Sequence, residues 1–123
     1  MTQEPIISPY VYVGLVNYNK FDKQSYADTI IRLVSNYYGL SLNDLRSSSR
    51  KHNIVKAKQV CIYFLRTRIR SLSLNDIAQL LGDKHHTTII HSIKTITNYL
   101  SINDEEITKD VSILGKIILI NKN

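Results

Sequence analysis

The sequence predicts an all-α fold, a small helical bundle that contains a helix-turn-helix. Three observations carry this. Only two prolines and four glycines interrupt 123 residues, too few for the many turns of a β fold. Apolar residues recur at spacings of three and four through most of the chain. Two similar phrases, SLNDL at 41–45 and SLNDI at 73–77, each place a serine three residues before an aspartate. That is the spacing of a capped helix start, and the phrases are read as two such starts rather than a repeat.

Residues 1–22 read as an irregular N-terminal arm. Pro5, Pro9 and Gly14 break it, and Tyr10, Val11, Tyr12 and Val13 suggest a short extended piece. A first helix is expected from about Gln24 to Tyr38, with Tyr26, Ile30, Leu33, Val34 and Tyr37 on its apolar face and Gly39 just past its end. Ser41 caps a short helix, with Asp44 in its first turn, and Ser47, Ser48 and Ser49 form a polar loop. A long helix follows over roughly Asn53–Arg70, burying Ile54, Val55, Ala57, Cys61, Ile62, Phe64, Leu65 and Ile69. Ser73 caps the next short helix, where Asp76 complements the helix dipole and Ile77, Leu80 and Leu81 face inward. Gly82 ends it. The next helix begins near His86 and reaches about Leu100, with a core stripe of Ile89, Ile93, Ile96 and Leu100 that Ile90 widens. A last helix spans about Asp104–Ile118, its N-terminal turn favoured by acids, and Gly115 weakens its far end. The expected organisation is an arm at 1–22, a helix-turn-helix domain at 23–100 and a helical extension at 101–123.

A chain of this length holds one domain, and its 43% hydrophobic content is enough for a modest core. The single cysteine, Cys61, lies in an apolar run; it rules out a disulfide within the chain and a cysteine metal cluster, and fits a reducing cytoplasm. No apolar stretch approaches the ~18 residues of a membrane span, and the first residues make a poor signal peptide. The net charge of +6 points to an acidic partner, for which nucleic acid is the default. That charge is uneven. Arg46, Arg50, Lys51, Lys56, Lys58, Arg66, Arg68 and Arg70 fall in one stretch without an acid, while Asp104, Glu105, Glu106 and Asp110 cluster later.

The chemistry concentrates at Gly82–Thr95, GDKHHTTIIHSIKT. The N-terminal residues of the second helix of a helix-turn-helix enter the major groove. Histidine there donates or accepts according to its tautomer. Threonine offers a hydroxyl to a base or phosphate and a methyl to thymine. Lys84, Lys94 and the Arg50–Lys58 segment can neutralise flanking phosphates, which supplies affinity without sequence. Enzyme signatures are missing: the chain has no GxxxxGK[ST], GxGxxG or GxSxG, so neither a nucleotide cofactor nor a catalytic role is expected. His85, His86 and His91 invite a metal reading. However, His86 and His91 are five apart, off the i, i+3 or i+4 spacing that puts two ligands on one helix face.

GDKHHTTIIHSIK at 82–94 resembles the signature of the C-terminal DNA-binding domain, domain IV, of the bacterial replication initiator DnaA. Upstream, RKHNIVKAKQVCIYFLRTRIRSLSLNDIAQLLG at 50–82 has the same order of basic loop, long helix, SLxxI helix and glycine turn. YADTIIRLVSNYYGLSLNDLRSSSR at 26–50 is similar to that domain's first helices. The likeness covers about Tyr26–Leu100. It implies an all-helical fold of the Trp-repressor type with double-stranded DNA as partner. It also implies roles for single residues: Arg50 in the minor groove, Lys58 on phosphate, His86, Thr87 and Thr88 in the major groove, and Lys84 as the basic residue of the turn. The DNA-binding set expected from position and resemblance together is Arg50, Lys51, Lys56, Lys58, Arg66, Asn75, Lys84, His85, His86, Thr87, Thr88, His91 and Lys94. The chain departs from the family at His85, which stands where an aspartate is usual, at Asn75, in place of a common proline that touches DNA, and by one extra residue near Arg66–Ile69. The AAA+ ATPase module of a complete initiator is missing from these residues. The expectation is therefore a stand-alone DnaA-like, nucleoid-associated protein that reads DnaA-box-like sequence in replication initiation or its regulation. The alternative is a protein-interaction module that has kept the fold, making contact through its tyrosine-rich arm or its acidic last helix.

Overall fold

The computed structural model describes residues 14–83 and 85–121, with side chains from residue 23 onward. Six helices follow in order: α1 (Gly14–Tyr37), α2 (Leu42–Arg46), α3 (His52–Arg68), α4 (Leu74–Leu80), α5 (His86–Ser101) and α6 (Glu105–Ile120). No strand occurs among the described residues. α3 is the central post, packed against α1, α2, α4 and α5, and α6 closes the bundle against α1 and α5.

The helix starts follow local chemistry. Ser41 and Ser73 each accept a hydrogen bond from the aspartate N–H three residues on, and Asp44 and Asp76 each return one from the serine N–H. Asp104 caps α6 by accepting from the Ile107 N–H at 3.0 Å. α1 begins ten residues before the expected start, at Gly14 rather than Gln24. The tyrosine–valine alternation that suggested an extended piece ends at Val13, outside the described residues. No proline lies between Pro9 and the end of α1, and a glycine at the first helical position removes little from a helix that continues for 24 residues.

One core runs through all six helices. Ile30, Val34, Leu45, Phe64, Leu65, Ile77, Leu81, Ile89, Ile96, Leu114 and Ile118 are among its fully enclosed side chains. Cys61 is buried, as its apolar setting suggested, and burial pushes its thiol well up from the ordinary value. Gly115 sits inside α6 where a Cβ would come within 3.1 Å of Arg68 Nη2, so a glycine lets the end of α3 approach the helix.

A polar tie joins α6 to α1 and α3. Asp110, 7% exposed, accepts from the Tyr37 and Tyr38 hydroxyls at 2.8 Å each. The Lys56 ammonium lies 3.3 Å from the second Asp110 oxygen and also pairs with Glu106. Burial alone would raise the Asp110 carboxyl. The hydrogen bonds from Tyr37, Tyr38 and Lys56, with the Lys56 charge, outweigh it and hold the group below the usual carboxylate range. Burial and the neighbouring carboxylate push Tyr37 up to about 12 and Tyr38 higher still.

Candidate nucleic-acid interface

Between α4 and α5 the chain turns at Gly82. Gly82 has φ +71°, the left-handed region that favours glycine. An added Cβ would lie 2.8 Å from the Arg46 carbonyl oxygen, so the turn passes directly over the end of α2. Two further contacts fasten that junction. Arg46 Nε donates to the Leu80 carbonyl at 2.9 Å. Lys58 Nζ donates to the Ser47 carbonyl at 3.0 Å and to Asp83 Oδ1 at 3.2 Å. The basic loop therefore starts against the turn that leads into α5.

The serines give this loop its shape. Ser47 Oγ donates to the Asp44 carbonyl at 2.7 Å and accepts from the Ser49 N–H at 3.3 Å. Ser49 Oγ accepts from the Lys51 N–H at 3.2 Å. Short hydroxyl side chains satisfy the backbone that no helix satisfies, and Arg50 and Lys51 stand exposed at the end of the loop.

α5 has two distinct faces. Ile89, Ser92 and Ile96 are buried, with Ile93 and Leu100 packed against the core. Thr87, Ile90, His91, Lys94 and Asn98 are exposed and recur at i, i+3, i+4, i+7 and i+11, which makes them one outward stripe. The sequence reading placed Ile90 in the core. At 37% exposure it belongs to the outward stripe, and Ser92 holds the buried position instead. The register explains this, because Ile90 is in phase with Thr87 and His91, not with Ile89 and Ile96. Small Ser92 fits where α5 lies against the central helix.

At the start of α5, His85 occupies the N-cap with extended backbone and makes no side-chain cap hydrogen bond. His85, His86, Thr87 and Thr88 are all exposed. His86 Nδ1 lies 3.1 Å from Asn75 Oδ1, joining the first turns of α5 and α4. The nearby acids are occupied: Asp76 accepts from the Ser73 N–H, and Asp83 is paired with Lys58.

Of the residues selected from sequence, Asn75, His85, His86, Thr87, Thr88, His91 and Lys94 lie on or against α5, and Arg50 and Lys51 lie on the loop braced to its turn. Lys84 falls outside the described residues. Three bases of α3 make hydrogen bonds to the rest of the fold. Lys56 is held by Glu106 and Asp110, and Lys58 bridges loop and turn. Arg66 Nη1 donates to the Leu72 carbonyl at 3.1 Å and lies 3.5 Å from the Arg70 carbonyl. Sequence spacing could not separate Lys56 and Lys58 from free cations, since their acidic partners lie 25 or more residues away.

Residues 27–96 match the family model for the bacterial DnaA protein helix-turn-helix. Similar curated proteins are chromosomal replication initiator proteins DnaA. That of Gloeobacter violaceus is 39% identical over 88 residues, covering 72% of this chain and 20% of the relative. That of Herpetosiphon aurantiacus is 37% identical over 92 residues, covering 75% and 19%. That of Flavobacterium psychrophilum is 35% identical over 89 residues, covering 72% and 18%. The chain thus spans about a fifth of the length of these relatives. A crystal structure described as a DNA replication initiation factor shares the fold, with a TM-score of 0.74 at 24% identity, over 88% of this chain and 32% of that one. With the helix-turn-helix in place and the family model matched across it, the chain belongs to the bacterial DnaA helix-turn-helix family.

Proposed function

We propose that the chain binds double-stranded DNA sequence-specifically, at DnaA-box-like sites, and serves replication initiation or its regulation. The observation that carries the reading is the brace between basic loop and turn. Arg46, Lys58 and Gly82 fix the start of the Arg50–Lys51 loop against the entry to α5. A helix in the major groove and a cationic loop at the neighbouring backbone or minor groove is the docking that this supports. His86, Thr87 and Thr88 would then read base edges, with Ile90 and the threonine methyls against thymine. Lys51 and Lys94 would neutralise phosphates. Lys56 and Lys58 already pair with acids of the fold, whereas Arg66, bonded only to backbone carbonyls, stays exposed and can still meet phosphate. The role in replication rests on the named function of the relatives.

His86→Ala is expected to weaken binding to a preferred duplex by roughly 1–3 kcal/mol and leave binding to a scrambled duplex almost unchanged. Arg50→Ala should likewise weaken preferred-site binding. Lys94→Ala should weaken both duplexes alike and lower the salt slope by about one. Fluorescence anisotropy on both duplexes at several salt concentrations checks all three. Equal losses on both duplexes for His86→Ala would sink its base-reading role.

A further inference from the structure

We propose that Asn75 is the positioning residue that decides what His86 reads. The inference rests on the reading above, in which α5 enters the major groove, and adds the chemical class of base edge that His86 selects.

His86 Nδ1 faces a carbonyl oxygen, Asn75 Oδ1, at 3.1 Å. In this orientation the Asn75 amide oxygen only accepts, which assigns the proton to Nδ1; a flipped amide would offer Nδ2–H and reverse the tautomer. In the neutral ring this leaves Nε2 as an unprotonated acceptor, on the side of the imidazole away from Asn75. A free imidazole chooses between tautomers; the Asn75 oxygen biases this one toward the Nδ1–H form. The backbone that carries this anchor is firm. Asn75 is the second residue of α4, whose first turn is fastened by the reciprocal Ser73–Asp76 capping box at 3.0 and 3.2 Å. Ile77 and Leu81 are buried in the same core as Ile89 of α5, and α4 packs against α5. Both side chains of the pair are exposed, on the side where the turn presents α5.

In the major groove an acceptor finds its partner only in an exocyclic amine, at adenine N6 or cytosine N4. Guanine O6 and N7 and thymine O4 would face Nε2 lone pair to lone pair. His86 should therefore select adenine or cytosine on the strand it faces, and Asn75 should impose that choice through the imidazole it holds.

Two measurements test this. Long-range ¹H–¹⁵N spectra of the free wild-type protein, at a pH where the ring is neutral, report which nitrogen holds the proton. The expected result is protonated Nδ1 and bare Nε2; a ring protonated on Nε2 overturns the proposal. Separately, duplexes selected from a random pool by wild type, His86→Ala and Asn75→Ala are compared. One motif position should hold adenine or cytosine in wild type and lose its preference in His86→Ala. Asn75→Ala should cut discrimination there by roughly fivefold or more, as expected for one misdirected hydrogen bond, a larger loss than it causes on random duplex. Removing the exocyclic amine of that base should cost wild type the same factor and Asn75→Ala little. If Asn75→Ala keeps the preference that His86→Ala erases, this inference fails and the base-reading proposal stands. A uniform loss on all duplexes for Asn75→Ala would make it a phosphate contact and also overturn the inference. No motif in wild type would overturn the base-reading proposal itself, and the inference with it.

Discussion

Gly82→Ala is expected to destabilise the domain by about 2–4 kcal/mol, a large part of a small domain's stability. Two costs combine. Any side chain at φ +71° meets the left-handed penalty, and the new Cβ would sit 2.8 Å from the Arg46 carbonyl oxygen. That neighbour is backbone, so the turn must shift as a whole. The shift would strain the Arg46–Leu80 and Lys58–Asp83 hydrogen bonds that align the basic loop with α5. Gly39→Ala is the matched control. Its φ is +68°, but an added Cβ meets nothing within 4 Å, so only the conformational cost of about 1 kcal/mol applies. Urea unfolding followed by far-UV circular dichroism compares them. Equal losses in the two variants would contradict the close approach at Gly82.

Asp110→Ala should cost about 3 kcal/mol at neutral pH, because it strands three donors that meet at one buried carboxylate. Tyr37 and Tyr38 would lose their acceptor, and Lys56 would retain only exposed Glu106. Asp110→Asn gives the pH signature. The folded carboxyl is held below its ordinary value of 3.8. Its stabilising contribution is therefore complete above about that value and fades as pH falls through the folded value. The stability gap between wild type and Asp110→Asn should be level from neutral pH to about 5, then narrow in acid. On the alkaline side, Tyr37 is raised from 10.0 to about 12, so its contribution is full below the first value and lost approaching the second. A gap that stayed constant down to pH 2 would show that the Asp110 charge does not hold α6 in place.

Local chemistry made most of this fold legible. Ser41, Ser73 and Gly82 mark helix boundaries with their own side chains or backbone freedom, and the structure uses each as the spacing implies. Most core positions of α3 and α5 were readable because buried residues repeat with the helix period, although Val60, and not Val55, takes one of the buried places of α3. Two kinds of information were hidden. Ile90 is as hydrophobic as Ile89, and only the register set by packing against α3 decides which one faces out. The partners of Lys56 and Lys58 are distant in sequence, so a basic run reads as one cationic surface until folding brings Asp110, Glu106 and Asp83 beside it. The candidate site was visible as a motif, GDKHHTT, whereas the loop that accompanies it became attached only through tertiary contacts. The Asn75–His86 pair belongs to the same class, since neither residue predicts the other at a separation of eleven.

Selection of bound duplexes from a random pool, with binding repeated over a range of salt concentrations, tests DNA reading head-on. The proposed function predicts one enriched motif related to a DnaA box, bound with a steep salt dependence and more tightly than random duplex. Salt-sensitive binding with no motif would mean that the basic loop holds DNA while α5 reads nothing. No duplex binding even at low salt would contradict the proposal altogether and favour a protein-interaction module built on the same helices.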